Sequence, residues 1–404
     1  MSVEADPVFW LADRVNAVGT SKAVIYVAGG GSEVFPMLLA RGGGSASLLA
    51  GRILYEPIDF RQALGHDPGQ LVSPKAAGGL AMAAFRHAIA VRGELAEDQV
   101  CGLGATSKLT RGPGERSGRS HEIHAALQDS GRTLRISASL PPETDRTWQE
   151  RVNALILLNL LAEGKGLDAS IPLRHDGLAL RSEALSTRSA GVEECGGQAV
   201  EELLVGRRGW VALDLSGGTP RPATASPGLL LPGSFRPLHA GHRAMARAAA
   251  HLVGRPCDFE ISLTHPEKPA LDYLAIRSRL APFANLGERV VLTTAPTYLE
   301  KARLFPACTF VVGHDTALRV VDPRFYGGVP ARDAALDELE RLGARFLVFG
   351  RVDPSGTFRD LAPDQFDGAV SGFLARVATP VPSDRFRLDI SSSEIRRGWD
   401  ADDD

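Results

Sequence analysis

The pattern of apolar and polar residues is most regular in the C-terminal half of the chain, where short apolar runs alternate with amphipathic segments. Strands are predicted near Leu229 and over 259–264, 289–294, 309–312 and 345–349, with helices over 242–253, 271–286, 298–305 and 334–342. Strands that alternate with helices of this length are typical of a doubly wound parallel sheet. Such sheets bind ligands at the carboxyl ends of their strands.

The N-terminal region, residues 1–166, shows fewer clear elements. The apolar run 23–28 predicts a strand that ends at Gly29-Gly30-Gly31, and 133–140 predicts another. Apolar spacing predicts helices over 76–91 and 148–162, the second with Asp145 or Thr147 as N-cap and Gly164 at its end. We therefore expect a second α/β domain here.

Residues 167–227 have a weaker pattern and are expected to connect the two domains. A strand is predicted over 210–215. Residues 216–227 are rich in Gly, Pro, Ser and Thr, which is typical of a linker. The C-terminal domain is then expected over 228–404.

The composition is that of a water-soluble globular protein of 404 residues, with 44% hydrophobic residues and a net charge of −3. The charge argues against general binding to nucleic acid or anionic membranes. No apolar run approaches the roughly 20 residues of a membrane span, and the N-terminus does not have the pattern of a signal peptide. Four separated cysteines indicate buried free thiols, so we expect a cytoplasmic protein, with a homo-oligomer left open.

The segment 232–242 (PGSFRPLHAGH) places two histidines at the predicted junction of a strand and a helix. A helix N-terminus offers free N–H groups and partial positive charge, which favour phosphate. Gly241 permits close approach of a ligand to the backbone. His239 and His242 are three residues apart, so both imidazoles can face the same side and stabilise charge that builds on a phosphate. A merely capped or packed histidine pair is the alternative.

A second segment, 390–398 (ISSSEIRRG), combines N-cap serines with arginines before a glycine. Hydroxyl groups, free N–H groups and a guanidinium together form a second phosphate clamp. An ordinary capped surface helix explains the same pattern.

Together, 233–242 (GSFRPLHAGH) and 390–396 (ISSSEIR) resemble the two signature motifs of the nicotinamide or nicotinate mononucleotide adenylyltransferases. The resemblance covers about 228–398. It implies a Rossmann-like nucleotidyltransferase domain with a doubly wound parallel sheet. It also implies transfer of an adenylyl group from ATP to a pyridine mononucleotide, with release of pyrophosphate.

The resemblance assigns roles to individual residues. His239 and His242 hold the ATP phosphates and stabilise the transition state, while Ser392, Ser393 and Arg396 hold the β- and γ-phosphates. Lys268 is a further candidate for a phosphate contact. The candidate catalytic residues are thus His239, His242, Lys268 and Arg396. The other candidate ATP-binding residues are Gly233, Ser234, Phe235, Gly241, Gly313 and Asp315. Mg²⁺ is expected with ATP, held largely through water, because no carboxylate cluster suggests a metal cage.

Three features leave alternatives open. Arg236 stands where these enzymes commonly have Asn, so the acceptor is less certain. Asp315 is also explained as a helix N-cap, and Lys268 as a solvated loop lysine. A phosphopantetheine adenylyltransferase, a cytidylyltransferase and a non-catalytic nucleotide sensor are the competing functions. A tRNA synthetase is excluded by the absence of a lysine-rich second loop.

Residues 23–166 show a fainter resemblance to the amidase domain of the competence-damage-inducible (CinA-type) proteins, which implies a CinA C-terminal-like α/β domain. It rests on Ser32 at a strand end, Tyr55, the Val72-Ser73 segment and a loop over 102–114. The family follows its serine with Cys-Thr-Gly-Gly, whereas 33–36 here is EVFP. Lys108, Arg111 and Arg116 are candidates to hold an anion. We expect a degenerate amidase-like domain in which Ser32 is more simply a helix cap.

Overall fold

The computed structural model describes residues 6–19, 21–112, 118–175, 178–180, 184–265, 269–352, 357–362 and 366–387. The chain divides into two compact units. The first contains Met1–Val192 and Pro266–Ile276, and the second contains Glu193–His265 and Arg277–Asp404. Both units mix helices with a central sheet, so the expected α/β class is confirmed.

The first unit is built on a six-stranded sheet with helices on both faces. Its helices are α1 (Pro7–Ala17), α2 (Val34–Leu39), α3 (Pro57–Leu64), α4 (Pro74–Val91) and α5 (Arg146–Gly164). Its strands are β1 (Lys22–Ala28), β2 (Leu48–Ile53), β3 (Val100–Lys108), β4 (His121–Gln128), β5 (Arg132–Leu140), the short pair β6 (Arg174–His175) and β7 (Leu178–Ala179), and β8 (Leu185–Gly191).

The sheet of the first unit has the strand order β2-β1-β3-β4-β5-β8. β1 is parallel to β2 and β3, and the remaining neighbours are antiparallel. Two glycines in β3 let α4 approach closely, because a Cβ on Gly102 or Gly104 would lie 2.1 or 2.3 Å from the α4 backbone. The opposite face packs on α1, α2 and α5 in the main apolar core.

The second unit contains the regular alternation that the sequence predicts. Its helices are α6 (Gln198–Leu204), α7 (Ala240–Val253), α8 (Tyr273–Ala284), α9 (Tyr298–Leu304), α10 (His314–Val320), α11 (Val329–Arg341) and α12 (Gly368–Val377). The first four residues of α8 are counted with the first unit, and α8 belongs to the second unit from Arg277 onward. Its strands are β9 (Trp210–Asp214), β10 (Arg221–Ala223), β11 (Leu229–Pro232), β12 (Asp258–Ser262), β13 (Arg289–Thr293), β14 (Thr309–Gly313), β15 (Arg345–Phe349), the short pair β16 (Arg351–Val352) and β17 (Phe358–Arg359), and β18 (Ala378–Val381).

The sheet of the second unit has the order β10-β9-β13-β12-β11-β14-β15-β18. Its six strands from β13 to β18 are parallel. The chain moves outward in one direction from β11 through β12 to β13, and then in the other through β14, β15 and β18. The strand order therefore reverses between β11 and β14, which is where a doubly wound sheet binds its ligand. The predicted strands and helices of this region are confirmed within a few residues.

Several sequence-based expectations differ from the structure. Residues 216–227, expected to be a linker, contain the edge strand β10, which pairs with β9 in the second sheet. Three residues are enough for a strand at the edge of a sheet. The loop expected over 102–114 begins only after Lys108, since 100–108 is a buried strand. One expectation is confirmed: of the two predicted N-caps of α5, Asp145 takes this role and accepts a hydrogen bond from the Trp148 N–H.

The cysteines are free thiols, and three of the four are buried, while Cys257 is half-buried. Burial raises the pKa of Cys101 to about 12, so this thiol stays protonated and unreactive at neutral pH. Within the described residues, no helix combines the length and the apolar character needed to cross a bilayer.

Candidate active site

The loop after β11 is shaped by a glycine and a buried phenylalanine. The Gly233 N–H donates to the Glu260 carbonyl at 2.9 Å, which extends the pairing with β12 by one residue. Phe235 is 4% exposed and has a φ of 45°, in the left-handed region that non-glycine residues rarely adopt. A Cβ on Gly233 would lie 2.7 Å from the Phe235 ring, so this position requires glycine.

The two histidines of the motif come together at the start of α7. His239 is the N-cap residue, and its N–H donates to Nδ1 of His242 at 3.3 Å. The two rings stack with their centroids 3.6 Å apart and their planes inclined by 25°. Because Nδ1 of His242 accepts this bond, the neutral ring carries its hydrogen on Nε2, where it is a donor.

Burial keeps both imidazoles neutral at physiological pH. The pKa of His242 falls from the ordinary 6.5 to about 4, first through burial and then through repulsion by His239. Burial also lowers the pKa of His239. The pair therefore provides neutral N–H donors rather than positive charges.

An aromatic cluster holds His242 in place. The edge of Phe235 meets the His242 ring with centroids 4.9 Å apart, and Phe235 also packs against Phe259 and Phe283 at 5.4 Å each. Phe259 and Phe283 belong to β12 and α8. The ring orientation of His242 is thus set by three elements besides its own helix, which is the rigidity that a catalytic donor requires.

Arg279 of α8 is a functional candidate that we did not predict from the sequence. Its Nη1 donates to the Ser234 carbonyl at 3.3 Å, in the middle of the motif loop. Burial and the neighbouring Arg236 lower its pKa to about 10. Within the described residues it forms no ion pair with a carboxylate. A part-buried guanidinium of α8 therefore lies against the motif loop, and a guanidinium is a strong donor for anions such as phosphate.

Gly313 and Asp315, two of the predicted ATP-binding residues, lie at the carboxyl end of β14, the neighbour of β11 in the sheet. Gly313 is the N-cap of α10, and Asp315 lies in its first turn. The N-cap role considered for Asp315 is therefore wrong. Its carboxylate forms an ion pair with Arg351 at the carboxyl end of β15.

A buried ion pair lies in the core beside the motif strand. Lys301 Nζ contacts Glu260 Oε1 at 2.8 Å, and these residues are 4% and 1% exposed. Glu260 also accepts from Thr293 Oγ1 at 2.6 Å, and Lys301 donates to the Ala295 carbonyl at 2.6 Å. The pair thus ties β12, β13 and the segment after β13 to α9. A glutamate between the apolar residues Phe259 and Ile261 of a central strand was the sequence signal for it.

Four predicted site residues lie outside the described residues: Lys268, Ser392, Ser393 and Arg396. Their roles therefore stay predictions. The described part of the chain contains no group of three His, Cys, Asp or Glu side chains able to hold a metal ion.

The N-terminal candidates follow the carboxyl ends of three neighbouring strands. Ser32 follows β1, Tyr55 follows β2, and Lys108 ends β3. Tyr55 is 79% exposed, and Lys108 Nζ donates to Ser120 Oγ at 3.2 Å. The Ser32 hydroxyl donates to Glu150 Oε1 at 2.8 Å. The helix-cap role of Ser32 is wrong, because Glu33 is the N-cap of α2 and no side chain caps that helix. Arg116 lies outside the described residues.

Comparison with known families gives a match over the second unit. Residues 230–398 match the model of the cytidylyltransferase-like family. The C-terminal part of the chain is therefore similar to nucleotidyltransferases, as its two motifs indicate. The match begins within β11 and includes the histidine pair. Comparison with curated proteins gives no match.

Solved structures resemble the N-terminal part of the chain. The competence/damage inducible protein CihA from Agrobacterium tumefaciens is 20% identical over 42% of this chain and 100% of its own, with a TM-score of 0.32. A competence or damage-inducible protein from Enterobacter asburiae is 16% identical over 39% and 99%, with a TM-score of 0.30. A CinA superfamily protein from Escherichia coli is 18% identical over 40% and 91%, with a TM-score of 0.28. Similarities at this level of identity do not establish a function for the N-terminal unit.

Proposed function

We propose that the C-terminal unit transfers an adenylyl group from ATP to a pyridine mononucleotide and releases pyrophosphate. The family match supports nucleotidyl transfer in general. The adenylyl group and the pyridine acceptor rest on the resemblance of the two motifs, 233–242 and 390–396. The observation that carries the proposal is the stacked pair of neutral imidazoles at the helix end nearest the reversal in strand order.

The proposed reaction needs positioning and charge stabilisation, without a covalent enzyme intermediate. An oxygen of the acceptor phosphate attacks the α-phosphorus of ATP. The bond to the bridging oxygen of the β-phosphate breaks in line, and its electrons leave with pyrophosphate. Negative charge grows on the β- and γ-phosphates as this bond breaks, so fixed donors aimed at those oxygens lower the barrier.

The described residues supply such donors. Nε2–H of His242 is held in one orientation by its neighbours, and the N–H groups of Ala240 and Gly241 at the start of α7 add further donors. Arg279 contributes the positive charge that the neutral imidazoles lack. Mg²⁺ enters this proposal as the companion of the nucleotide phosphates, since the described residues offer no cage for it.

Cytidylyl transfer is a second candidate, with one observation in its favour. The matching family is described as cytidylyltransferase-like. Arg236, where the adenylyltransferases that the motifs resemble commonly have asparagine, leaves the acceptor less certain. Both candidates use the same histidine pair, so the nucleotide and the acceptor have to be distinguished by experiment.

The test is pyrophosphate release by the purified full chain with Mg²⁺. ATP or CTP is combined with nicotinamide mononucleotide, nicotinate mononucleotide, phosphopantetheine or no acceptor. We expect release that requires ATP and one of the pyridine mononucleotides. Release with CTP would replace the adenylyl assignment, and release with phosphopantetheine would replace the acceptor.

The matched control distinguishes catalysis from contamination. His242→Ala should abolish the release, while His251→Ala, an exposed position of the same helix, should retain it. ATP binding without release under every condition would contradict the proposal and favour a nucleotide sensor.

A further inference from the structure

The turn between β1 and α2 in the N-terminal unit is filled by a carboxylate of the same chain. Glu150 of α5 accepts hydrogen bonds from the Gly31 N–H at 2.8 Å and from the Ser32 N–H at 2.7 Å. The Ser32 hydroxyl donates to it at 2.8 Å, and the Glu33 N–H approaches it at 3.4 Å. Four donors from three consecutive residues thus converge on one carboxylate.

Two more side chains of α5 contact the same turn. Arg146 Nη2 donates to the Gly29 carbonyl at 3.4 Å, and Arg151 forms an ion pair with Glu33 at 3.1 Å. Arg146 also donates to the Thr110 carbonyl at 3.0 Å. The position of Glu150 is therefore fixed by neighbours one helical turn before it and directly after it.

The glycines of the turn are matched to this internal carboxylate. A Cβ on Gly30 would lie 2.7 Å from Glu150 Oε2, so a larger residue would push the carboxylate out. Gly29 and Gly31 have φ values of 76° and 89°, which favour glycine. The turn needs glycine at both positions to bring the N–H groups of Gly31 and Ser32 to the same carboxylate.

We propose that Glu150 is a built-in anion that closes this turn, so that Ser32 does not act as a nucleophile in the N-terminal unit. A serine that attacks a carbonyl needs nearby N–H donors for the oxygen that becomes negative. Here the donors at and beside Ser32 already bind Glu150. A carboxylate attached to the same chain has a far higher effective concentration than a dissolved ligand. This inference concerns the N-terminal unit and does not depend on the proposed transferase.

Chemical rescue in the full chain tests the proposal. Glu150→Ala removes the carboxylate and leaves its donors around a small hole. We expect hydrogen exchange of the amides in a peptide spanning 29–35 to become at least about tenfold faster, because their acceptor is lost. Sodium formate, compared with sodium chloride at equal ionic strength, should restore protection in the variant and leave the wild type unchanged.

Two control variants define the outcome. Glu143→Ala changes an exposed glutamate near the start of the same helix and should alter neither exchange nor the formate response. Glu150→Gln keeps the volume of the side chain and leaves no hole for formate. Its 29–35 peptide should exchange faster than in the wild type, with no response to formate. This variant also provides the test if Glu150→Ala does not fold. A turn that stays protected in both Glu150 variants would overturn the proposal.

A hydrolysis assay addresses Ser32 directly. The wild-type chain and the Ser32→Ala variant are each incubated with nicotinamide mononucleotide, whose amide group serves as the probe. The ammonia that each protein releases is then measured. We expect no difference between the two proteins. Ammonia release that is lost in both Ser32→Ala and Glu150→Gln would overturn the proposal, because Glu150 would then be the base that activates Ser32.

Discussion

The acid titration of His242 offers a quantitative test of the site geometry. Its pKa of about 4, against the ordinary 6.5, results from burial and from the adjacent His239 ring. Protonation at Nδ1 would also break the hydrogen bond from the His239 N–H. The neutral form is therefore favoured by three features of the folded loop that the unfolded chain does not have.

The sign of the effect on stability follows from proton binding. Above pH 6.5, the imidazole is neutral in both states and contributes no pH dependence. Between pH 6.5 and about 4, the unfolded chain binds a proton that the folded chain refuses, so stability falls as the pH falls. Below pH 4 both states are protonated and the loss levels off. The full difference corresponds to about 3 kcal/mol at ~1.4 kcal/mol per pH unit. A measured midpoint above pH 4 would reduce this difference in proportion, at the same ~1.4 kcal/mol per pH unit.

NMR titration of the histidine rings measures this pKa directly. The chain has ten histidines, and the His242→Gln variant identifies the signal of interest by its absence. We expect a midpoint near pH 4, with the Nε2–H tautomer in the neutral form. In the pH profile of kcat/KM for the proposed transfer, the His242 titration should appear near pH 4 and leave no inflection near 6.5. A midpoint at or above 6.5 would refute the argument, because the ring would then be solvated or paired with an anion.

Three substitutions in the second unit provide further tests. His242→Ala should lower kcat of the transfer by about 10²- to 10³-fold with unchanged far-UV circular dichroism, and near-normal turnover would contradict its role. Gly233→Ala should lower kcat of the proposed transfer at least about tenfold, because its Cβ would lie 2.7 Å from the phenyl ring that contacts His242; Gly217→Ala, which has open space, is the control. Lys301→Met should destabilise the unit by about 3–5 kcal/mol in urea unfolding, because Glu260 is left buried without its cation. Adding Glu260→Gln to that variant should recover part of the loss, and no recovery would show that packing alone is responsible.

The elements of the second unit were predictable because their information is local. A strand of four to six apolar residues followed by a helix of ten or more is recognised from periodicity within one short window. The junction of β11 and α7 was predicted within the segment 232–242, and α7 begins at Ala240, two residues before the predicted helix 242–253. The edge strand β10 was missed because three residues rich in proline and arginine carry no periodic signal.

The candidate site was only partly predictable. The histidine pair was found from its spacing, because residues one turn apart on a helix face the same side. Arg279 was not found, since it is 45 residues from the Ser234 carbonyl that it contacts and lies in a helix with a second arginine, Arg277. The helix-cap expectation for Ser32 failed for the same reason, because its partner Glu150 is 118 residues away.

The sequence by itself determined the order of strands and helices, the doubly wound pattern and the two imidazoles at a helix start. Those features depend on residues within a turn or two of each other. Only the tertiary structure decided the protonation of His242, the charge placed beside Ser234 and the carboxylate that fills the turn at Ser32. Each of these depends on burial or on a contact between distant segments, and desolvation and hydrogen bonding act through space rather than along the chain.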